Sequence, residues 1–112
     1  MANICSNRFY LVCEKNLDKY IKFLQPIIEE WSGGIDYDEY NSKEDKTSGG
    51  IIEGYFDSRW TFPDWLKDEL AKIVVEEDDL YFRCLSEEYG CAYVAMNVFS
   101  DGAWWDEQTF EF

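Results

Sequence analysis

The stretch GGIIEGYFDSRWTFP, residues 49–63, carries the chain from a polar loop through a strand into a helix. Residues within it alternate in character, so that Ile52 and Phe56 fall on one face of a strand while charged residues fall on the other. The closing proline has no N–H for a sheet ladder but suits the first turn of a helix. The stretch therefore predicts a strand with one apolar face that is followed at once by a helix.

The chain on either side of this stretch shows the periodicities of further elements. Apolar groups on both faces predict a buried strand over residues 8–14, and apolar residues three and four apart predict a helix over 17–31, with Asn16 as its N-cap. The same helical spacing recurs over residues 62–74. Further strands are predicted over residues 34–41, 80–85, 91–99 and 103–112. The first of these has only a weak alternation and is followed by a polar loop.

This order of elements indicates an α+β domain. A largely antiparallel sheet with both helices on one face and a C-terminal β-meander accounts for strands separated by helices and then by hairpins. A chain of 112 residues has room for one core, so residues 1–112 are expected to form a single domain. The composition, 46% hydrophobic and 19% aromatic, excludes an intrinsically disordered chain.

The charge balance is strongly acidic. Asp and Glu number 24 against 10 Lys and Arg, histidine is absent, and the formal net charge is −14 at pH 7. Such a charge repels nucleic-acid phosphates and anionic membranes and attracts basic protein surfaces. We therefore expect no direct binding to nucleic acid or membrane, and we expect a basic protein as the partner.

The cysteines and the amino terminus bear on location and metal binding. Cys5, Cys13, Cys84 and Cys91 form no C-x-x-C pair, and the chain has no histidine to join them in a zinc site. The first residues lack a basic region followed by an apolar core, and no apolar run approaches the roughly 18 residues of a membrane span. We expect a cytoplasmic protein with reduced thiols, no metal and no cofactor.

Three segments resemble the YubB-type ferredoxin-like domains of phages and plasmids. The opening NICSNR, residues 3–8, is similar to their N-W-C-x-N start, with isoleucine in place of the usual tryptophan. FDSRWTFP, residues 56–63, is similar to their F-[D/E]-[S/T]-x-W-x-x-P segment. EYG, residues 88–90, followed by a strand and by DG, residues 101–102, is similar to their acidic-x-Gly strand and terminal turn. The resemblance implies a ferredoxin-like fold and an origin in a mobile element, and it implies no active-site residues.

Acidic residues at the ends of both predicted helices belong to the first candidate site. The negative end of a helix dipole disfavours carboxylates by roughly 0.3–1 kcal/mol each, so a role other than helix stability is expected. Rows of carboxylates can occupy the Lys/Arg channel of a nuclease or repressor, because duplex DNA carries one negative charge per roughly 1.7 Å of its axis. The candidate contacts are Glu29, Glu30, Asp36, Asp38, Glu39, Glu44, Asp45, Glu76, Glu77, Asp78, Asp79, Glu87 and Glu88. The alternative is a solvated acidic face that only aids solubility.

Two adjacent tryptophans near the carboxyl end, Trp104 and Trp105, are the second candidate site. Adjacent residues of a strand point to opposite faces of a sheet, so one of the pair is expected to lie away from the helices. There it would meet a partner or help to form a homodimer. The alternative for tryptophans in such a pattern is packing in the core.

Enzymatic function finds little support in the residue types. Without histidine, general-base chemistry would fall to a carboxylate, a lysine or a cysteine, and the acidic runs lack the twelve-residue pattern of a calcium loop. We expect a non-enzymatic inhibitor of a basic, nucleic-acid-handling host protein, of the anti-CRISPR or anti-restriction type. A protein–protein interaction or dimerisation module that uses the aromatic sheet face is the alternative, and a small metal-assisted hydrolase is a third.

Overall fold

Six strands and two helices make up the described part of the chain, which is residues 4–40, 49–59, 63–88 and 93–111 of a computed structural model. In chain order, the elements are β1 Ile4–Cys13, α1 Leu17–Glu30, β2 Gly34–Tyr40, β3 Gly49–Arg59, α2 Asp64–Ile73, a 3₁₀ turn Glu76–Asp78, β4 Tyr81–Glu88, β5 Tyr93–Ser100 and β6 Ala103–Glu111. The α+β class and the predicted order of strands and helices are confirmed, including the weakly patterned β2. β1 begins earlier and β4 ends later than predicted, because polar residues occupy inward-facing positions at those ends.

The strands form one sheet in the order β2-β3-β1-β4-β5-β6. Every neighbouring pair is antiparallel, and Tyr10 in the middle of β1 lies opposite Glu53 of β3 on one side and Arg83 of β4 on the other. The first strand of the chain is therefore central in the sheet. β4, β5 and β6 form the predicted meander, with one register irregularity between Met96 and Asn97.

Both helices pack on the same face of the sheet, which we call the helix face. The Phe9 ring of β1 stacks on Phe82 of β4 with 6.0 Å between ring centroids, and it lies 6.1 Å from the ring of Phe56 in β3. These rings and the buried residues of both helices form one apolar cluster. The helix residues buried in it are Leu17, Tyr20, Ile21, Leu24, Ile27, Ile28, Leu66 and Leu70. Each such large apolar side chain stabilises the fold by about 1.5–3 kcal/mol.

Gly54 of β3 lies where two neighbours approach its backbone closely. A Cβ atom at this position would be 2.5 Å from the carbonyl oxygen of Gly34 and 2.7 Å from the Phe9 ring. Only glycine leaves room for both contacts. The residue thus allows β2 to pair with β3 while the Phe9 ring packs across the pair.

The opposite face of the sheet, which we call the open face, is covered by no helix of the described residues. Its side chains alternate along each strand with those of the helix face, and Tyr55 is 54% exposed on it. All three arginines of the chain, Arg8, Arg59 and Arg83, lie on this face. In a protein of net charge −14, the guanidinium groups are thus concentrated on one surface.

Candidate functional site

Asp78, the third carboxylate of the acidic run after α2, is fully buried and hydrogen-bonded. Its Oδ1 accepts a hydrogen bond of 2.6 Å from Asn16 Nδ2, and its Oδ2 accepts bonds from Lys19 Nζ at 2.6 Å and from the Tyr20 hydroxyl. The backbone N–H of Val75 also donates to Oδ2, at 3.4 Å. One carboxylate therefore joins the 3₁₀ turn to the start of α1.

The surroundings of Asp78 favour its charged form. Burial raises the pKa of this carboxyl, but the hydrogen bonds from Lys19, Tyr20 and Asn16 outweigh burial and hold the pKa below its usual value. Burial also raises the pKa of Tyr20, and the neighbouring carboxylate raises it further, so the phenol stays protonated and donates. Asp78 and Lys19 therefore form an ion pair with one buried and one partly exposed member.

The prediction that Asp78 contacts a partner is wrong, because its carboxylate does not reach the surface. The acidic run forms a 3₁₀ turn after α2, and this turn directs its third acid inward. Asn16 precedes α1 as predicted, but it does not cap the helix through its side chain. Its backbone is left-handed, with φ of 64°, and its amide binds Asp78 instead.

The other acids of the run, Glu76, Glu77 and Asp79, are exposed to solvent. Backbone hydrogen bonds hold the turn that carries them: the Asp79 N–H donates to the Glu76 carbonyl at 3.1 Å, and the Glu14 N–H donates to the Asp78 carbonyl at 2.8 Å. The buried side chain of Asp78 holds the same turn from the inside. Three carboxylates are thus presented on a segment that is fixed to the core.

A depression of about 570 Å³ lies beside this turn. Buried Leu80 lines it, together with the acidic residues Glu76, Asp79 and Asp101. We call the exposed residues Glu76, Glu77, Asp79 and Asp101 the acidic end. An apolar lining beside carboxylates suits a Lys or Arg side chain of a partner, since its methylene stem is apolar and its head is charged.

The remaining predicted acids are divided among other places. Glu29 and Glu30 are exposed at the last turn of α1. The first turn of the same helix binds Asp78, so about 20 Å of helix separates these two glutamates from the acidic turn. Asp36 and Asp38 are exposed on β2, in register with Glu53 and Ile51 of the open face. The predicted acids therefore do not form one continuous row.

Three predicted contacts lie where no side chain is described. Glu39 belongs to β2, where its backbone is opposite Gly50 of β3. Glu44 and Asp45 lie outside the described residues.

Glu87 and Glu88 point to opposite faces of β4. The Glu87 carboxylate lies on the open face, 3.6 Å from the Arg8 guanidinium. Glu88 lies on the helix face and is only 3% exposed. The prediction that Glu88 contacts a partner is therefore wrong, because the alternation that turns Phe82 and Cys84 inward also turns Glu88 inward.

Trp104 and Trp105 also point to opposite faces, as predicted for adjacent residues of a strand. The Trp104 ring packs edge-on against Phe82 and Phe99, with ring centroids 5.7 and 5.3 Å away. Its Nε1–H donates to the Lys67 carbonyl of α2 at 3.0 Å. Trp105 is 56% exposed on the open face. Trp104 therefore belongs to the packing under α2, and Trp105 is the member that a partner can reach.

Sequence reasoning missed a buried polar cluster around Asn7 of β1. The Asn7 Nδ2 donates to the Phe56 carbonyl at 3.1 Å and to Ser58 Oγ at 2.9 Å, and its Oδ1 accepts a bond of 2.7 Å from Ser86 Oγ. One amide thus links β3, β1 and β4. The alternation of the strand could have revealed this cluster, because Asn7 lies two residues before the inward-facing Phe9 and therefore on the same face.

The three described cysteines are buried free thiols. Burial raises the pKa of Cys5, and it raises the pKa of Cys13 to about 11 and that of Cys84 to about 12. These thiols are protonated at neutral pH, and a protonated thiol is a poor nucleophile and metal ligand. Cys91 lies outside the described residues.

Comparisons of the chain with protein-family models, curated proteins and solved structures give no match. What the domain binds must therefore be inferred from its own surfaces. Within residues 4–40, 49–59, 63–88 and 93–111, no group of three or more Asp, Glu or Cys side chains is placed to hold a metal ion. In the same ranges, no helix is long and apolar enough to cross a membrane.

A second candidate surface is a shallow depression of about 1150 Å³ on the open face. The Arg83 guanidinium stacks on the Tyr10 ring, with 4.7 Å from its central carbon to the ring centroid. Arg8, Tyr55 and Leu85 line the same depression. Cationic, aromatic and apolar side chains thus share one uncovered surface.

Proposed function

We propose that the chain is a non-enzymatic protein whose acidic end binds the basic surface of a nucleic-acid-binding protein in place of DNA. The proposed partner is a nuclease of host defence in the host cytoplasm, such as a CRISPR effector or a restriction enzyme. Glu76, Glu77, Asp79 and Asp101 would meet the Lys and Arg side chains that otherwise bind phosphates. The net charge of −14 steers the domain toward such a surface.

The buried anchoring of Asp78 is the observation that carries this proposal. Four acids follow α2, and the one that turns inward binds Asn16, Lys19 and Tyr20, while the other three are held outward. Because the turn is ordered before binding, little conformational entropy is lost when a partner docks on it.

The exposed acids after α2 are not paired with cations in the described part of the chain. Among the ion pairs of the described residues, none includes Glu76, Glu77 or Asp79. Lys19, the cation beside the turn, is held by Asp78. The three carboxylates are therefore available to cations of another protein, and salt should weaken the attraction because it screens exposed charges.

We also propose that the domain has a ferredoxin-like fold. Its first six elements run β-α-β-β-α-β, which is the element order of that fold. β2, β3, β1 and β4 are adjacent in the sheet, and β5 and β6 extend it beyond β4. The proposed origin in a phage or plasmid rests on the resemblance to the YubB-type domains, with which this element order agrees.

Two exposed Glu-Glu pairs allow a matched test of the binding proposal. Glu76→Lys/Glu77→Lys changes the acidic end, and Glu29→Lys/Glu30→Lys changes the net charge by the same amount at the far end of α1. Binding to a restriction endonuclease and to a CRISPR effector nuclease is measured in competition with a labelled DNA duplex, at about 0.1 M and about 0.5 M salt.

We expect the change at the acidic end to weaken binding about tenfold or more, and the control to weaken it much less. Wild-type binding should fall at the higher salt concentration. Equal losses in the two variants would show that net charge alone is responsible and would exclude the acidic end as the contact. Failure of the wild type to bind either nuclease at the lower salt concentration would contradict the proposed class of partner.

A further inference from the structure

The open face carries opposite charges on the two strands that flank β1. In the sheet ladder, Tyr10 lies between Glu53 of β3 and Arg83 of β4. Among the ion pairs of the described residues, none includes Glu53 or Arg83. Arg83 is oriented instead by stacking on the Tyr10 ring. The acid and the cation therefore stand on either side of one tyrosine without pairing to each other.

The neighbouring row of the same face carries an aromatic ring on the β3 side and apolar side chains on the β4 side. Arg8 lies between Tyr55 of β3 and Leu85 of β4. Tyr55 is 54% exposed, whereas Leu85 is half-buried and lines the depression together with Met96. Arg8 has its own counter-ion on the same face, because its guanidinium lies 3.6 Å from Glu87. The Tyr55 ring lies over Gly34 of β2, where a Cβ atom on the glycine would be 2.9 Å from it. The β2–β3 side thus offers an aromatic surface, and the β4–β5 side offers an apolar one.

Two copies can pack with their open faces together around a two-fold axis that runs parallel to β1, between the two sheets. This axis places β3 of one copy opposite β4 of the other. Arg83 would then lie opposite Glu53 of the second copy, and Tyr55 opposite Leu85 of the second copy, with each pair occurring twice. We propose that the open face is the interface of such a homodimer. Arg8 lies near the axis, where each copy keeps Glu87 as its counter-ion. This interface does not include the acidic end, whose residues lie after α2 and in the turn between β5 and β6 and stay exposed.

A second copy suits the charges of the face better than a partner of one sign. Among the residues whose side chains the structure describes, the charged ones on the strands of this face are Arg8, Arg59, Arg83, Asp36, Asp38, Glu53, Asp57 and Glu87. A wholly basic partner would be repelled by the arginines of this face, and a wholly acidic partner would be repelled by its carboxylates. Like-charge contacts of either kind lower affinity. The two-fold arrangement sets Glu53 of the β2–β3 side against Arg83 of the β4–β5 side. It also sets Asp57 opposite Glu87 of the second copy, and the Arg8 guanidinium groups near the axis lie next to these acids.

The face is also large enough for a weak dimer. With this axis, five strands of each copy overlap with the other copy, from β2 to β5 in the sheet order. Strands are about 4.8 Å apart and rise about 3.3 Å per residue, so five strands of roughly seven residues cover a projected area of roughly 550 Å² per copy. Specific interfaces bury about 600–1000 Å² per partner, and the projecting side chains add to the projected area. The size corresponds to the lower end of this range.

Charge exchange across the predicted pair tests the homodimer. The mass of the purified full chain is measured by light scattering and sedimentation from about 1 to about 200 µM protein, at about 0.2 M salt so that repulsion between the two acidic copies is screened. Arg83→Glu and Glu53→Arg are each expected to weaken the dimer about tenfold or more, because each sets like charges together at both symmetric positions. The double variant Arg83→Glu/Glu53→Arg is expected to recover most of the wild-type affinity.

An exposed ion pair on α1 supplies the matched controls. Lys22 and Asp18 are 3.7 Å apart on the helix, so Lys22→Glu and Asp18→Lys repeat the same charge changes away from the open face and should leave the dimer unchanged. Tyr55→Ala tests the second pair without a change in charge and should also weaken the dimer. Circular dichroism identifies any variant that fails to fold. A wild-type chain that stays monomeric at the highest concentration would overturn the proposal, as would a double variant no tighter than the single ones.

Discussion

The hydroxyl of Tyr20 and the carboxylate of Asp78, 58 residues apart in the chain, share a hydrogen bond inside the domain. Tyr20 belongs to α1 and is buried in the apolar cluster, while Asp78 belongs to the acidic turn after α2. The core of the domain therefore determines how the exposed acids Glu76, Glu77 and Asp79 are presented. A change at the buried acid should alter both stability and the proposed binding surface.

Asp78→Ala is expected to lower the free energy of unfolding by about 2–4 kcal/mol. The substitution removes the carboxylate from a buried ion pair and leaves the Tyr20 hydroxyl and the Asn16 amide without their partner. The loss is smaller than for a wholly buried pair, because Lys19 is partly exposed. Urea unfolding followed by circular dichroism measures it. Glu77→Ala, on the exposed side of the same turn, is the control and should change stability by less than about 0.5 kcal/mol.

The same carboxylate should make the domain less stable in acid. The pKa of Asp78 is lower in the folded protein than in the unfolded chain, where it is about 3.9. Its contribution is therefore fully present above the unfolded value and is lost as the pH falls through the folded value. Unfolding free energies of the wild type and Asp78→Asn, measured from about pH 7 to about pH 2, should converge below about pH 4. A difference that stays constant over the whole range would contradict the assignment, since the other carboxylates are common to both proteins.

Asn7→Ala should destabilise the sheet by about 2–3 kcal/mol, because the buried Phe56 carbonyl and the hydroxyls of Ser58 and Ser86 lose a partner. Ser6→Ala is the matched control, since Ser6 is adjacent in β1 but exposed on the open face. Thermal and urea unfolding of the two variants give the comparison. Similar stabilities for both would show that the amide does not hold the three strands together.

The buried thiols should react slowly with alkylating reagents. Burial raises the pKa of Cys13 to about 11 and that of Cys84 to about 12, so little thiolate forms at about pH 8. Alkylation of both, followed by peptide mapping, should be at least about a hundredfold slower in the folded protein than in urea, where the pKa returns to about 8.5. Fast labelling of either residue in the folded protein would contradict its placement in the core.

The parts of the structure that follow from period-two alternation could be predicted from the sequence. Alternation located the strand within residues 49–63 and separated Trp104 from Trp105. The same rule, extended from Phe82 and Cys84, would have turned Glu88 inward, so that error was avoidable. The alternation of β2 is weak, but β2 pairs with β3 over all seven of its residues.

The parts that depend on distant contacts could not be predicted in this way. Residues 76–79 are four acids in a row, and which one turns inward depends on where Asn16, Lys19 and Tyr20 of another segment come to lie. Which residues lie opposite Arg8, Arg59 and Arg83 in the neighbouring strands depends on the register of three strands. Local spacing contains neither piece of information.

The central place of β1 has a consequence for how the domain is made. Ser86 reaches Asn7 across 79 residues of chain, and both neighbours of the first strand are synthesised long after it. Such distant pairing makes folding slow, because a long loop must close before its contacts stabilise anything. On the ribosome, the first strand therefore cannot find both its neighbours until β4 has emerged, and a chain truncated before β4 would expose an unpaired, aggregation-prone edge.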